Sequence, residues 1–173
     1  DRRWGPLFHN CSGKHSGMLL QAKLLAAPSD TYLDPSNPVQ QAIREAVAYA
    51  CDLGDPAGLT WGTDGCSAPN YAVPLGSLAR AFAWLSRTDD DARYGAAPRR
   101  LFEAMAQHPE MVSGAGRNDL ALATAGRGDW ATKVGADGVQ TLASRSRGIG
   151  IAAKVSDGNL KALMVAFCSV LEQ

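Results

Sequence analysis

The feature that most constrains the fold is a change of hydrophobic period near residue 129. Residues 129–144, DWATKVGADGVQTLAS, read as two strands joined at Asp137-Gly138, a dipeptide typical of β-hairpin turns. Residues 148–155, GIGIAAKV, place apolar side chains on one face of a third strand. Residues 159–173 then repeat apolar side chains at helical spacing. These patterns predict an antiparallel sheet followed by a terminal helix that packs on it.

The chain before residue 129 is mainly helical in pattern. Helical segments are predicted at 14–26, 34–54, 74–87 and 97–109, and a glycine-rich turn at 111–123 leads into a short helix. Residues 59–75 are interrupted by Gly and Pro, which predicts a loop with a short strand at its start. Helices followed by an antiparallel sheet indicate an α+β fold in one domain, residues 1–173. A three-stranded sheet covered on a single face is thin, so we expect a strand or helix from outside the chain to complete it.

Composition and charge exclude several classes of function. The chain has 173 residues, of which 46% are hydrophobic and 20% are charged, as in ordinary globular proteins. Lys plus Arg and Asp plus Glu number 17 each, and no basic cluster with interleaved aromatic residues occurs, which argues against nucleic-acid binding. No apolar run reaches the roughly 20 residues of a membrane helix. Residues 1–8 lack the apolar core of a signal peptide.

The four cysteines divide into two pairs by their surroundings. A chain of this size does not need disulfides to hold a core, so we expect reduced thiols in the cytoplasm. Cys51 and Cys168 lie in apolar helical patterns and are predicted to be core thiols. Cys11 and Cys66 lie among Gly, Ser, Asp and Pro, which indicates a different role.

Residues 9–15, HNCSGKH, concentrate reactive side chains in one short stretch. If a helix starts near residue 12, Cys11 and Lys14 point the same way, and Cys66 in GTDGCSAPN is a third candidate donor. Two thiols and an amine or imidazole can hold zinc with water in the fourth position, and His9 or His15 can replace the lysine. Two alternatives stay open. Cys11 is a small buried residue in a glycine turn, or it is a nucleophile with His15 or Lys14 as its base.

Lys133 is the next candidate, because it lies in mid-strand two residues before Gly135. A strand lysine usually faces solvent. Serine β-lactamases and penicillin-binding proteins, however, line their clefts with Lys-Thr-Gly on an antiparallel strand. Those enzymes also need a Ser-x-x-Lys nucleophile, and no lysine of this chain has a serine three residues before it.

The stretch MVSGAGRND, residues 111–119, is the third candidate. Ser113, Gly114 and the following glycine can offer backbone N–H groups to an anion or a carbonyl oxygen. Arg117 can pair with a carboxylate through two hydrogen bonds. The alternative for Asn118 and Asp119 is ordinary capping of a helix start.

Six stretches of the chain carry a resemblance to a known family. In chain order, they are FHNCSGKHSGML, YLDPSNPVQ, DGCSAPNYAVPL, HPEMVSGAGRND, TKVGADGVQ and SRGIGIAAKVSDGN. They resemble the asparaginase II family, the class 3 asparaginases, whose fold is similar to that of serine β-lactamases and glutaminases. The resemblance spans essentially the whole chain. It covers only the later part of the family, without the earlier part that carries its Ser-x-x-Lys nucleophile, so we expect the chain to lack an upstream segment.

The resemblance implies roles for individual residues. Cys11, Lys14 and Cys66 match the family's zinc ligands, with water completing the shell. Lys133 matches the lysine of the family's second Ser/Lys pair. His15 and Asp64, beside the ligands, are candidates for substrate contact. Asn37 departs from the family pattern, where His is expected before Pro-Val-Gln.

The implied reaction is hydrolysis of the side-chain amide of L-asparagine to aspartate and ammonia. A serine attacks the amide, a neutral lysine takes its proton, and backbone N–H groups hold the oxyanion. The alternative is a non-catalytic binding or regulatory module that keeps the fold, is stabilised by zinc and lacks the nucleophile. The expected partner is the small amide substrate, with neither nucleic acid nor membrane. A homodimer is compatible with the sequence, which does not determine the number of subunits.

Overall fold

The structure is a computed structural model that describes residues 5–172. The first four residues of the N-terminal segment and Gln173 therefore lie outside the described part. The described chain forms seven helices and two small antiparallel sheets, which confirms the α+β class. It divides into two compact units, residues 1–49 with 53–72 (unit 1) and residues 50–52 with 73–173 (unit 2). The prediction of a single domain stays a prediction.

Unit 1 contains two helices and a short hairpin. Helix α1 spans Ser12–Leu24 and helix α2 spans Pro38–Ala50. Strand β1, Trp61–Thr63, pairs antiparallel with strand β2, Pro69–Tyr71. The sequence predicted both helices and one short strand, but it missed the second strand because three residues broken by Pro carry little periodic signal.

The core of unit 1 joins these elements through four buried apolar side chains. Met18 and Ala22 come from α1, Val39 comes from α2, and Ala68 comes from the loop that connects β1 to β2. Asn37 is buried just before α2, where its Oδ1 accepts a hydrogen bond of 3.0 Å from the N–H of Val39. Asn37 therefore caps α2, which gives this residue a structural role.

Unit 2 contains five helices and a three-stranded sheet. The helices are α3 (Leu75–Arg87), α4 (Ala97–Gln107), α5 (Glu110–Ser113), α6 (Asn118–Ala125) and α7 (Leu160–Leu171). The strands β3 (Trp130–Gly135), β4 (Val139–Ser144) and β5 (Ile149–Lys154) run antiparallel in the order β3-β4-β5. The predicted hairpin turn is confirmed, since Asp137 and Gly138 both take positive φ, 53° and 78°.

Helices cover both faces of this sheet. Ala131 and Ala143 pack with Phe102 and neighbouring side chains of α3 and α4. Leu142, the next residue on β4, points to the opposite face and packs with Leu122 and Phe167 of α6 and α7. The prediction of a single covered face was therefore wrong, because the pattern of α3 and α4 does not reveal which surface their apolar stripes meet.

The two predicted core thiols differ in their burial. Cys51 is buried, as predicted, but Cys168 is exposed. Cys168 follows the buried Phe167 on α7, and one helical step turns it about 100° away from the buried stripe. The prediction of a core thiol at residue 168 was wrong for this reason.

We expect Gly150→Ala to lower the free energy of unfolding by about 2 kcal/mol or more. A Cβ at Gly150 would lie 2.0 Å from the carbonyl oxygen of Ala79 and 2.3 Å from the backbone nitrogen of Ala83, because α3 packs directly on this strand residue. Gly76→Ala is the control, since no atom lies within 4 Å of a Cβ there. Urea unfolding of both variants measures the difference, and equal stabilities would contradict the close packing.

Candidate functional site

The start of α1 and the β1–β2 loop bring the predicted zinc ligands together in unit 1. Cys11 is the N-cap residue of α1 and Lys14 lies in its first turn, as the spacing predicted. Cys66 lies in the β1–β2 loop, which is anchored next to it by the fully buried Ala68. The thiols of Cys11 and Cys66 are close enough that each changes the pKa of the other.

Asp64 connects the loop to the helix. Its Oδ1 accepts a hydrogen bond of 2.7 Å from the N–H of Gly65. Its Oδ2 accepts a hydrogen bond of 3.3 Å from Lys14 Nζ and lies 3.6 Å from the thiol of Cys66. Hydrogen bonds from Gly65 and Lys14 hold the pKa of the Asp64 carboxyl below its usual value. The structure therefore places Asp64 in contact with two of the three predicted ligands.

The pKa values of the two thiols in this cluster are shifted in opposite directions. Burial and the neighbouring Cys66 raise the pKa of Cys11, although Lys14 acts in the opposite direction. Burial acts to raise the pKa of Cys66 as well, but hydrogen bonds from the N–H of Ala68 and from Lys14 outweigh it and lower this pKa. Burial acts to lower the pKa of Lys14, but hydrogen bonds with Cys66 and Asp64 raise it. Without a metal, the cluster therefore makes the Cys66 thiol a stronger acid than an ordinary cysteine, and it makes the Lys14 ammonium a weaker acid than an ordinary lysine.

A cavity of about 450 Å³ adjoins this cluster within unit 1. Its volume lies in the usual range for small-molecule sites. Polar groups of His9, Ser12, His15, Ser16, Tyr32 and Cys66 line it, together with apolar groups of Pro6, Leu7 and Leu19. The cavity thus combines an apolar wall with donors and acceptors suited to a small polar molecule.

His15 is oriented by a neighbour that the sequence did not reveal. Its Nδ1 lies 2.7 Å from the hydroxyl of Tyr32, and the two rings meet edge to face with centroids 5.8 Å apart. The Nε2 of His15 is buried and has no hydrogen-bond partner within the described chain. His9 uses its Nδ1 to accept a hydrogen bond of 3.1 Å from the N–H of Cys11. The Nε2 of His15, a residue that lines the cavity, is therefore a buried polar atom with spare hydrogen-bonding capacity.

The donor set in this cluster fits zinc in its chemistry. Thiolates and neutral nitrogen donors are the ligands that zinc prefers, and binding would displace the protons of Cys11 and Lys14. Among residues 5–172, no three or more His, Cys, Asp and Glu side chains are arranged to hold a metal. The zinc hypothesis therefore depends on Lys14 as a ligand beside the two cysteines.

Lys133 lies in unit 2 on β3, and its side chain is about half exposed. Its Nζ donates a hydrogen bond of 2.8 Å to the carbonyl of Val134 and lies 4.0 Å from Oδ2 of Asp119.

Asp119 is buried, although the sequence suggested only a capping role for it. The N-cap of α6 is Arg117, without a side-chain capping hydrogen bond. The capping interpretation of Asn118 and Asp119 was therefore wrong, because the Asp119 carboxylate bonds to the sheet instead.

The glycine turn before α6 has the backbone that the sequence predicted. Gly114 and Gly116 take positive φ, 81° and 72°, which favours glycine. The hydroxyl oxygen of Ser113 is buried and has no hydrogen-bond partner in the described chain, while Arg117 is exposed. Contacts within the described chain therefore give no structural role to the buried hydroxyl of Ser113 or to the exposed guanidinium of Arg117.

Comparison with protein families covers the whole chain. The model of the L-asparaginase II family matches residues 1–173. The chain belongs to the L-asparaginase II family. Within this family it is an asparaginase-type amidohydrolase, which acts on an amide such as asparagine. No curated protein matches the chain at a significant level.

The described part of this L-asparaginase II chain contains no helix that is both long and apolar enough to cross a membrane. Its candidate residues divide between the units. Unit 1 contains the three ligands of the zinc hypothesis together with His15 and Asp64. Unit 2 contains Ser113, Gly114, Arg117 and Lys133. Tyr32 and Asp119 are the residues that sequence reasoning missed. The available signals were a Tyr in the family-like stretch YLDPSNPVQ and an acidic residue in the first turn of α6.

We expect Tyr32→Phe to lower the free energy of unfolding by about 1 kcal/mol, because it leaves Nδ1 of the half-buried His15 without its partner. Tyr71→Phe is the matched control in the same unit, since the hydroxyl of Tyr71 makes only a long bond of 3.4 Å to the carbonyl of Gln40. Urea unfolding measures both variants. A larger loss for Tyr71→Phe would contradict the assigned role of Tyr32.

Proposed function

We propose that this chain forms part of an enzyme that hydrolyses L-asparagine to L-aspartate and ammonia through a Ser/Lys acyl-enzyme. The nucleophilic serine lies outside the chain, which contains no Ser-x-x-Lys motif. The observation that carries the proposal is the cluster of Cys11, Lys14, Cys66 and Asp64 beside a cavity of about 450 Å³ in a chain of the asparaginase II family. The amide and the charged groups of the substrate would contact the polar side chains that line part of this largely apolar cavity.

Within unit 1, the cavity would bind the substrate and orient it. The Nε2 of His15 is a hydrogen-bonding group with no partner, so contact with a substrate would satisfy it. Tyr32 holds the imidazole from its other nitrogen and so limits the directions in which Nε2 points. The carboxylate of Asp64 keeps Lys14 and the Cys66 loop in place, and it is a second candidate for contact with the substrate ammonium.

Within unit 2, the proposed roles are electrostatic. Lys133 offers a half-exposed ammonium that can stabilise negative charge on the substrate or act on a serine hydroxyl. The turn at Ser113 and Gly114 offers N–H groups and a buried hydroxyl, and Arg117 can pair with a carboxylate. These groups bind and polarise an amide, but they do not form the acyl-enzyme.

Cys11, Lys14 and Cys66 would hold one zinc ion. When bound, zinc would organise the substrate end of the site or polarise a water molecule. The site needs reduced cysteines, which supports a cytoplasmic location, and all four cysteines are free in the structure. The same proposal includes a homodimer, which a measurement of the protein's mass in solution tests.

A second candidate function is a binding or regulatory module that zinc stabilises and that has no catalytic activity. The observation in its favour is that none of the lysines in the chain has a serine three residues before it. The encoding gene distinguishes the two candidates. A Ser-x-x-Lys motif upstream of Asp1 supports the enzyme, and a start codon immediately before Asp1 supports the module.

We expect purified protein to contain about one zinc ion per chain, measured by elemental analysis, because the three donors form a single site. Cys66→Ser should lose most of this zinc, since a hydroxyl is a poor substitute for a thiolate. Cys168→Ser is the control, because Cys168 is exposed on α7. Full zinc occupancy in the Cys66→Ser protein would contradict the ligand assignment.

We expect the 173-residue chain alone to release no substantial ammonia from L-asparagine, because loss of a nucleophile typically costs several orders of magnitude in rate.

A protein in which this chain follows the family's Ser-x-x-Lys segment should be active. In that protein, Lys133→Ala should lower kcat/KM by about 100-fold or more. Lys154→Ala, on β5, should change it only a few-fold. Full turnover by the 173-residue chain would contradict an external nucleophile, and Cys11 or Ser12 would then be the first candidate.

A further inference from the structure

A buried carboxylate lies against strand β3 beside Lys133. Asp119 has only 1% of its surface exposed, and its charge is therefore removed from water. Its Oδ2 accepts a hydrogen bond of 3.0 Å from the N–H of Val134, and its backbone carbonyl accepts one of 3.1 Å from the hydroxyl of Thr132. The start of α6 is thus fixed to β3 by two hydrogen bonds, one from the side chain of Thr132 and one from the backbone of Val134.

The peptide groups of Val134 connect this carboxylate with the lysine ammonium. The N–H of Val134 donates to Oδ2 of Asp119, and its C=O accepts a hydrogen bond of 2.8 Å from Lys133 Nζ. The same Oδ2 lies 4.0 Å from Lys133 Nζ. One carboxylate oxygen therefore faces both the strand backbone and the positive charge.

The buried side-chain amide of Gln140 also binds the Asp119 carboxylate, through the oxygen that the N–H of Val134 does not contact. Gln140, opposite Val134 in the β3–β4 register, is fully buried, and its Nε2 donates a hydrogen bond of 2.9 Å to Oδ1 of Asp119. Both carboxylate oxygens are thus occupied by donors from the sheet. An arrangement with this many hydrogen bonds holds the negative charge at one place relative to β3.

We propose that Asp119 is a positioning residue for Lys133, which holds the lysine side chain folded back over β3 at Val134. The ammonium then serves as a fixed hydrogen-bond donor and attracts an anionic group of the substrate. The importance of this role for catalysis rests on the proposed function, in which Lys133 acts on the substrate. The ion pair itself can be tested without any activity.

The test is competitive acetylation of lysines with acetic anhydride at fixed pH, read residue by residue by mass spectrometry. Only the neutral amine reacts, so a nearby carboxylate that stabilises the ammonium slows the reaction. In Asp119→Asn, acetylation of Lys133 relative to Lys154 should rise about two- to fivefold, the range of a partly exposed ion pair. Lys154 is the internal reference because its Nζ also donates to backbone carbonyls, those of Asp137 and Val155.

Asp129→Asn is the matched control, since Asp129 also accepts hydrogen bonds from a backbone N–H and from serine hydroxyls in unit 2. It should leave the ratio of Lys133 to Lys154 acetylation unchanged. An unchanged ratio in a folded Asp119→Asn protein would overturn the proposal, and so would an equal rise in Asp129→Asn.

If Asp119→Asn does not fold, salt dependence in the unmodified protein replaces it. Screening weakens an ion pair at a partly exposed site, so the acetylation ratio should rise between 0.05 M and 1 M sodium chloride. A constant ratio would overturn the proposal. None of these measurements uses asparagine hydrolysis. A positive acetylation result, together with no asparaginase activity in the protein that carries the Ser-x-x-Lys segment, would therefore contradict the proposed function and support the ion pair.

Discussion

Burial of Ala68 against α1 and α2 is the contact on which the candidate site of unit 1 depends. Its methyl group is fully buried with Met18, Ala22 and Val39, so the β1–β2 loop cannot move away from α1 without exposing the core. The loop carries Asp64 and Cys66, which both make polar contacts with Lys14, and Cys66 also packs against the same apolar cluster. The apolar contact therefore supplies the stability, and the polar contacts determine the arrangement of donors.

The same division of roles holds within unit 2. The contact of α3 with Gly150 and the apolar clusters on both sides of the sheet hold the strands in place. The carboxylate of Asp119 then uses this rigid frame to bind β3 at Val134 and Gln140. A buried carboxylate is costly unless donors surround it, and the paired strands supply those donors at fixed positions. Lys133 receives a defined electrostatic environment as a result.

The candidate sites combine weakly buried reactive groups with strongly buried supports. Cys11, Lys14, Cys66 and Lys133 are all partly accessible, while Ala68, Asp119 and Gln140 are almost fully buried. Reactive groups must reach a ligand, so their own contacts contribute little to stability. In the proposed function, this arrangement gives the cysteine–lysine cluster a role in chemistry and gives the buried residues the structural role.

The sequence by itself determined the features that depend on neighbouring residues. Helical periodicity located α1 to α4 and α7, Asp137-Gly138 located the hairpin, and the Cys-x-x-Lys spacing put Cys11 and Lys14 on one side of α1. The tertiary structure decided what distant residues do together. Helices cover both faces of the sheet, and Cys168 is exposed. Tyr32 contacts His15, and Asp119 lies beside Lys133. Local patterns follow from backbone geometry within a few residues, whereas these contacts depend on packing between elements far apart in the chain.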